Sequence, residues 1–194
     1  MIDSIKQKLA KLNPSDTTNL KKAGVLIGIL NYDQYEESPA IIYTQRSSTV
    51  STHSGEVSFP GGMKEKEDKD LYQTALRESH EEINLDPLMV ERIGQLNHLV
   101  SLHNIEVNPY VGLINKKPNL RPNEEIGEIF EVPINFFLNP DNLTTQKIER
   151  DNIKLEIPTW YYNSQKIFGL TAMFTADLLN ICFGTNIGII REKK

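Results

Sequence analysis

Three consecutive stretches decide how this chain is read: Phe59-Pro60-Gly61-Gly62, the charged spacer MKEKEDKD over 63–70, and LYQTALRESHEEINL over 71–85. The last predicts a helix over 70–83, stopped by Asp86-Pro87. At about 100° per residue, Glu82 falls about 40° from Glu78, and Glu81 about 60° to the other side. Three carboxylates therefore fan across one narrow sector. Arg77 stands one turn before Glu81, the spacing at which opposite charges pair, which leaves Glu78 and Glu82 without a partner on their own helix. A divalent cation turns their mutual repulsion into attraction. Oxygen ligands from a few carboxylates, with positions open for water and phosphate, describe Mg²⁺ or Mn²⁺. A solvated acidic face is the plain alternative for such a string taken alone. Two neighbours favour the metal. The Gly61-Gly62 loop tolerates close approach of backbone to a ligand. The apolar set Leu71, Ala75 and Ile83, with Thr74 and Ser79, lets one side pack while the carboxylates stay free.

Working outward, residues 2–12 read as an amphipathic helix with Ile2, Ile5, Leu9 and Leu12 on one face, ended by Asn13-Pro14, with a packing or dimer-contact role. Apolar, β-branched runs predict strands over 23–30, 40–44, 90–100, 105–114 and 126–132. Pro109, inside the fourth, implies an edge or a bulge. A short helical turn is expected over 133–138, a hairpin from 143–149 and 153–157 across Arg150-Asp151-Asn152, and a closing helix over 170–183. Strands interleaved with helices give an α/β (α+β) class with a mixed sheet between helical layers. No repeat or linker divides the chain, so the 194 residues read as a single domain, with a lead-in over 1–22 and a core over 23–183.

Composition narrows the function. A net charge of −5 and a sequence pI near 5.4 argue against a nucleic-acid surface. No run of 18 apolar residues is present and the start MIDSIKQKLAKLNP lacks a signal-peptide core, so a cytoplasmic protein that does not enter the membrane is expected. The lone Cys182 excludes an internal disulfide and, in its apolar setting LLNICFG, reads as a buried structural thiol. His53, His80, His98 and His103 show no paired ligand spacing and read as loop or surface residues.

Residues 61–85 resemble the Nudix box through Gly62, Arg77, Glu78, Glu81, Glu82 and Leu85. Three departures stand out: the Gly62-to-Arg77 spacer is one residue longer, Ser79 fills an apolar slot, and Asn84 replaces the closing Gly. Asn tolerates left-handed geometry next best after Gly, which preserves the helix end. The longer spacer is similar to that of the Nudix branch acting on coenzyme A and its thioesters. The upstream signature of that branch is matched by Arg46, Ser47, Gly55, Glu56 and the Phe59-Pro60-Gly61-Gly62 end, with Ser51 where a basic residue is usual. Residues 123–133 resemble the branch's acidic loop leading into a strand that ends Val132-Pro133. Residues 167–172 resemble its Ile-Trp-Gly-Leu-Thr-Ala element, with Phe168 in the Trp position.

The resemblance implies a Nudix-type α/β/α sandwich and a metal-dependent pyrophosphatase. Coenzyme A or acyl-CoA would be cleaved to 4′-phosphopantetheine, or its acyl form, and adenosine 3′,5′-bisphosphate. It assigns Glu78 and Glu82 as principal Mg²⁺ or Mn²⁺ ligands, Glu81 as a further ligand or orienter, Gly62 as a backbone-carbonyl ligand, and Arg77 as the residue holding the acids in register. Glu125 is nominated as the base that activates water, with a solvated loop acid the equal reading. Arg46 meets a substrate phosphate or pairs with an acid of the sheet edge. Gly61, Gly62 and Phe168 line the substrate, while Trp160, Tyr161 and Tyr162 border it or belong to the core. Two rivals remain: a Nudix pyrophosphatase acting on ADP-ribose, NADH or another nucleotide, and a non-catalytic sensor, which has no need of Glu78, Glu81 and Glu82 together. A homodimer is compatible with all three.

Overall fold

The computed structural model describes residues 1–14, 18–35, 37–47, 55–150 and 153–191. Apart from three-residue 3-10 turns, these form α1 (Ile2–Leu9), β1 (Lys21–Leu30), β2 (Ala40–Arg46), β3 (Val57–Ser58), β4 (Gly61–Met63), α2 (Leu71–Ile83), β5 (Glu91–Gln95), β6 (Leu99–Val100) and β7 (Ile105–Ile114). They continue as β8 (Ile126–Pro133), α3 (Ile134–Leu138), β9 (Leu143–Arg150), β10 (Ile153–Tyr162), β11 (Gln165–Ile167), α4 (Gly169–Phe183) and β12 (Ile190–Arg191). Strands β3, β2, β1, β7 and β5 lie in that order in an eight-stranded sheet, with β4 also on β1, β6 on β7 and β8 on β2. β1 and β7 run parallel in register from Lys21↔Ile105 to Leu30↔Ile114, and β2 and β4 run antiparallel to β1. The sheet is therefore mixed, as the interleaved pattern predicts. A second, four-stranded sheet is built from β9, β10, β11 and β12.

Strand β1 shows why the middle of the sheet is apolar throughout. Its Leu26 and Leu30 pack with Leu71, Ala75, Leu76 and Ile83 of α2, whereas Ile27 and Ile29 belong to a second cluster with Ile5 and Leu9 of α1, Trp160 of β10 and Phe174 of α4. Alternation along the strand thus divides the interior into two cores, and a strand covered on both faces has no place for alternating polar residues. Each fully buried Leu or Ile contributes roughly 1.5–3 kcal/mol. Helix α2 approaches the sheet tightly at Gly24, where a Cβ would lie 2.2 Å from the Leu71 carbonyl oxygen. On the other face Tyr43 stacks on Phe59 at 5.0 Å and shares a 2.9 Å hydrogen bond with Thr175 of α4.

Several sequence expectations are corrected. The Gly61-Gly62 segment is not a free loop but the short strand β4, paired with β1 through Gly24↔Gly62 and Val25↔Gly61. The single strand expected over 90–100 is two, β5 and β6, with Leu96 buried between them. Pro109 lies in an interior strand rather than at an edge. Its carbonyl accepts from Leu96 N–H at 3.1 Å, so its donorless nitrogen faces the gap where β5 pairing ends at Tyr110 and β6 pairing begins at Val107. The first helix stops at Leu9, with Ile5 and Leu9 as its buried residues. The hairpin of β9 and β10 forms, although its expected link at Asp151-Asn152 lies outside the described residues, as do His53 and Ser51. Cys182 is buried. Among the described residues no helix is long and apolar enough to cross a membrane.

Candidate active site

The site is assembled where α2 crosses β4. Helix α2 starts on Asp70, whose carboxylate accepts from Gln73 N–H at 2.9 Å, and ends on Asn84 in the left-handed conformation (φ 56°, ψ 30°). The expectation that Asn84 substitutes for the closing Gly holds. Gly61 has φ +154°, and a Cβ on it would lie 2.4 Å from the Gly24 carbonyl oxygen, so the strand pairing itself demands glycine here. At Gly62 the limit comes from the opposite side, because a Cβ would sit 2.4 Å from the Glu78 carboxyl carbon. The two glycines thus bring bare backbone against the helix's acidic face.

Glu78 and Glu82 are the carboxylates that meet this backbone. Glu82 accepts from Gly61 N–H at 3.0 Å and is 7% exposed, so it is buried rather than free as the sequence implies. Burial, opposed by the Gly61 hydrogen bond and reinforced by the charge of Glu78, pushes its pKa up to about 7. Glu78 is also raised, chiefly by burial, against the attraction of Arg77. Glu81 points elsewhere. It is half exposed and pairs with Arg77 at 3.0 Å.

Arg77 is more than the partner of Glu81. Its guanidinium also lies 3.0 Å from Glu78, which corrects the expectation that Glu78 lacks a partner on its helix, and it donates to the Met63 carbonyl at 3.2 Å. Its strongest hold is a fork onto Asp68, from Nε at 3.1 Å and from the second terminal nitrogen at 3.2 Å. Asp68 further accepts from Glu65 N–H and from the Thr74 hydroxyl, both at 2.9 Å. The Arg77 bonds lead in holding its pKa down to about 2. Sequence reasoning missed Asp68, hidden in the alternating charges of the spacer. The available signal was that a spacer longer than the general box needs an internal anchor.

The acidic loop is tied to the end of the same helix. Arg121 N–H donates to Ile83 O at 3.0 Å, Asn123 N–H to Glu82 O at 2.9 Å, and the Asn84 side-chain amide to Asn119 O at 3.0 Å. This brings Glu125 to Arg46 at 3.0 Å, so the ion-pair reading of Arg46 is realised in this structure. Both charges act on Glu82, Arg46 lowering and Glu125 raising its pKa. Phe168 is placed separately, at the start of α4, with the Lys166 ammonium 4.6 Å from its ring centre. Trp160 is fully buried in the core, whereas Tyr161 is exposed.

Among the described residues no three His, Cys, Asp or Glu side chains gather at metal-ligating distance. What is gathered is the desolvated pair Glu78 and Glu82 beside the bare backbone of β4. Two raised, mutually repelling carboxylates form an all-oxygen donor set that fits Mg²⁺ or Mn²⁺.

A family model, the NUDIX domain, matches residues 22–154. The chain is 38% identical over 159 residues to Nudix hydrolase 15, mitochondrial, of Arabidopsis thaliana, covering 78% of this chain and 55% of that protein. It therefore spans about half the length of this plant relative. It is 35% identical over 159 residues to an uncharacterized Nudix hydrolase, NudL, of Pectobacterium atrosepticum, covering 81% of each. Among solved structures, a Nudix hydrolase from M. smegmatis, RenU, aligns with a TM-score of 0.50 at 15% identity, over 61% of this chain and 74% of that one, a likeness of fold alone.

Proposed function

This chain belongs to the Nudix hydrolase family, and on that premise we propose that it hydrolyses the pyrophosphate of coenzyme A or an acyl-CoA, giving 4′-phosphopantetheine or its acyl form and adenosine 3′,5′-bisphosphate. The observation that carries the chemistry is the pair Glu78 and Glu82 held against Gly61 and Gly62. The choice of coenzyme A rests on the Arg46 to Phe59-Pro60-Gly61-Gly62 signature and on the longer spacer that Asp68 folds. We take residues 23–183 as the core of one domain and 1–22 as its lead-in.

When bound, Mg²⁺ or Mn²⁺ would supply charge neutralisation for the pyrophosphate and a more acidic water. Glu78 and Glu82 would hold it, with the Gly62 carbonyl and Glu81 as further ligand candidates. Arg77, fixed by Asp68, keeps Glu78 and Glu81 oriented. Glu125 takes the proton as the water oxygen bonds to phosphorus, and the departing phosphate keeps the electron pair of the broken P–O bond. Arg46 supplies a positive charge to a phosphate oxygen. Such chemistry depends on positioning and charge more than on a protein nucleophile.

Ser51, in place of a basic residue, favours a second reading, hydrolysis of ADP-ribose, NADH or a related nucleotide. A panel of coenzyme A, acyl-CoA, NADH, ADP-ribose and nucleoside triphosphates, with Mg²⁺ and Mn²⁺, tests both beside Glu78→Gln and Glu82→Gln. Coenzyme A should turn over fastest, and either variant should lose at least about a hundredfold. Faster turnover of NADH or ADP-ribose replaces the substrate. Equal, negligible turnover by wild type and variants removes the enzyme reading.

A further inference from the structure

Arg46 and Glu125 hold two assignments that conflict. Each is wanted by the reaction, one for a phosphate and one for a proton, yet in this structure they occupy each other, with an Arg46 terminal nitrogen 3.0 Å from Glu125 Oε2. The surrounding bonds show which parts are fixed. The Glu125 backbone is held on both sides: its N–H donates to Asn123 Oδ1 at 2.9 Å and its carbonyl accepts from Ser47 N–H at 2.8 Å. Asn123 is tied in turn to the Glu82 carbonyl. Beyond Glu125, Gly127 lies so close to β2 that a Cβ there would be 3.3 Å from Ser47 Cα. Only the Glu125 side chain, 57% exposed, is left to swing.

The guanidinium is incompletely used. Its Nε is buried and has no hydrogen-bond partner among the described residues. A buried donor without an acceptor is costly, and a carboxylate bound to one terminal nitrogen does not relieve it. A tetrahedral phosphate presents more acceptor oxygens than one carboxylate atom and suits the planar fork of arginine. Glu125 thus satisfies Arg46 only in part.

We propose, resting on the reading that this site takes a pyrophosphate, that the Arg46–Glu125 ion pair is a latch displaced by substrate: an incoming phosphate takes the guanidinium and thereby frees the Glu125 carboxylate to act on water beside Glu82. Binding and delivery of the base are then one event. In the free protein the base is held back, and Arg46 is neutralised until a phosphate arrives. A ligand shifts such an equilibrium only through its differential contacts with the two arrangements, and here these are the Arg46 donors.

The test is a double-mutant cycle read by calorimetric binding of α,β-methylene-ADP with Mg²⁺. Glu125→Gln removes the competitor and should tighten binding about two- to fivefold, the scale of one partly exposed ion pair. Arg46→Ala should weaken binding at least tenfold. The combined variant should bind no better than Arg46→Ala, because the gain requires the guanidinium. Arg46→Gln carries the same arm if Arg46→Ala does not fold. In steady state, Glu125→Gln should lower KM and kcat together, a split that a merely structural clamp does not produce. Weaker binding by Glu125→Gln, or equal tightening in the Arg46→Ala background, overturns the latch and leaves hydrolysis standing. Absence of binding by every form, with no turnover in the substrate panel, overturns the latch together with the reading on which it rests.

Discussion

Asp68, in the spacer before α2, and Glu82, in the last turn of α2, are two buried carboxylates, and they are treated in opposite ways. Asp68 receives a forked arginine, a backbone N–H and a hydroxyl, and is held at about pKa 2. Glu82 receives one backbone N–H from Gly61, faces the charge of Glu78, and is pushed up to about 7. Burial acts against ionisation in both. The number of donors decides the outcome. Satisfied charge at Asp68 builds the scaffold, while under-satisfied charge at Glu82 marks it as a candidate functional position.

The largest test removes the space between helix and strand. Gly62→Ala puts a methyl 2.4 Å from the Glu78 carboxyl carbon, so that carboxylate must leave its place. Turnover should fall about a hundredfold or more, by the measure of a lost electrostatic contact in an active site, while circular dichroism stays native. Retention of full turnover would separate the Glu78 geometry from function.

A medium-sized effect sharpens the contrast through pH. Asp68→Asn should cost about 1.5–3 kcal/mol by denaturant unfolding at neutral pH, the worth of hydrogen bonds to a buried charge. Because the folded pKa of Asp68 lies below its ordinary 3.8, its contribution is complete above that value and fades as pH falls through about 2. Glu82 works with the opposite sign. Its folded pKa lies above the ordinary 4.5, so the folded state binds the extra proton and stability declines as pH rises from about 4.5 to about 7. In metal-free protein Glu82→Gln should reduce that decline and leave the part due to Glu78, whose pKa is also raised, and Mg²⁺ should flatten it in the wild type. A wild-type stability profile level across this window without metal would contradict the contrast.

The smallest effect concerns the helix end that carries the acidic loop. Asn84→Ala, forced to keep φ 56°, should lose about 1 kcal/mol. Asn84→Gly should stay within about 0.5 kcal/mol, since relief of strain offsets the lost bond to Asn119. Thermal unfolding of the two variants side by side checks this.

Much of the molecule was legible in local pattern. Strands β1 and β7, helices α2 and α4, and the left-handed role of Asn84 follow from apolar runs and cap chemistry, whereas the parallel pairing of β1 with β7 does not. Pro109 implies an edge or a bulge: the edge alternative fails because β7 is interior, and the irregular pairing between β5 and β6 that accommodates it belongs to neighbours. The β4 strand was hidden for a similar reason. Two glycines carry no hydrophobic pattern, and their strand character comes only from pairing with β1.

By itself, the sequence determined which residues are acidic, how they recur along one helix, and that glycines stand before them. Periodicity, residue type and cap preference are local properties, and they suffice for that. Only the tertiary structure decided that Glu82 is buried while Glu81 is not, that Arg77 answers to Asp68, and that Arg46 and Glu125 occupy each other. Those outcomes depend on which donors arrive from distant segments and on how much water they exclude, and the free energy of a charge is set by both.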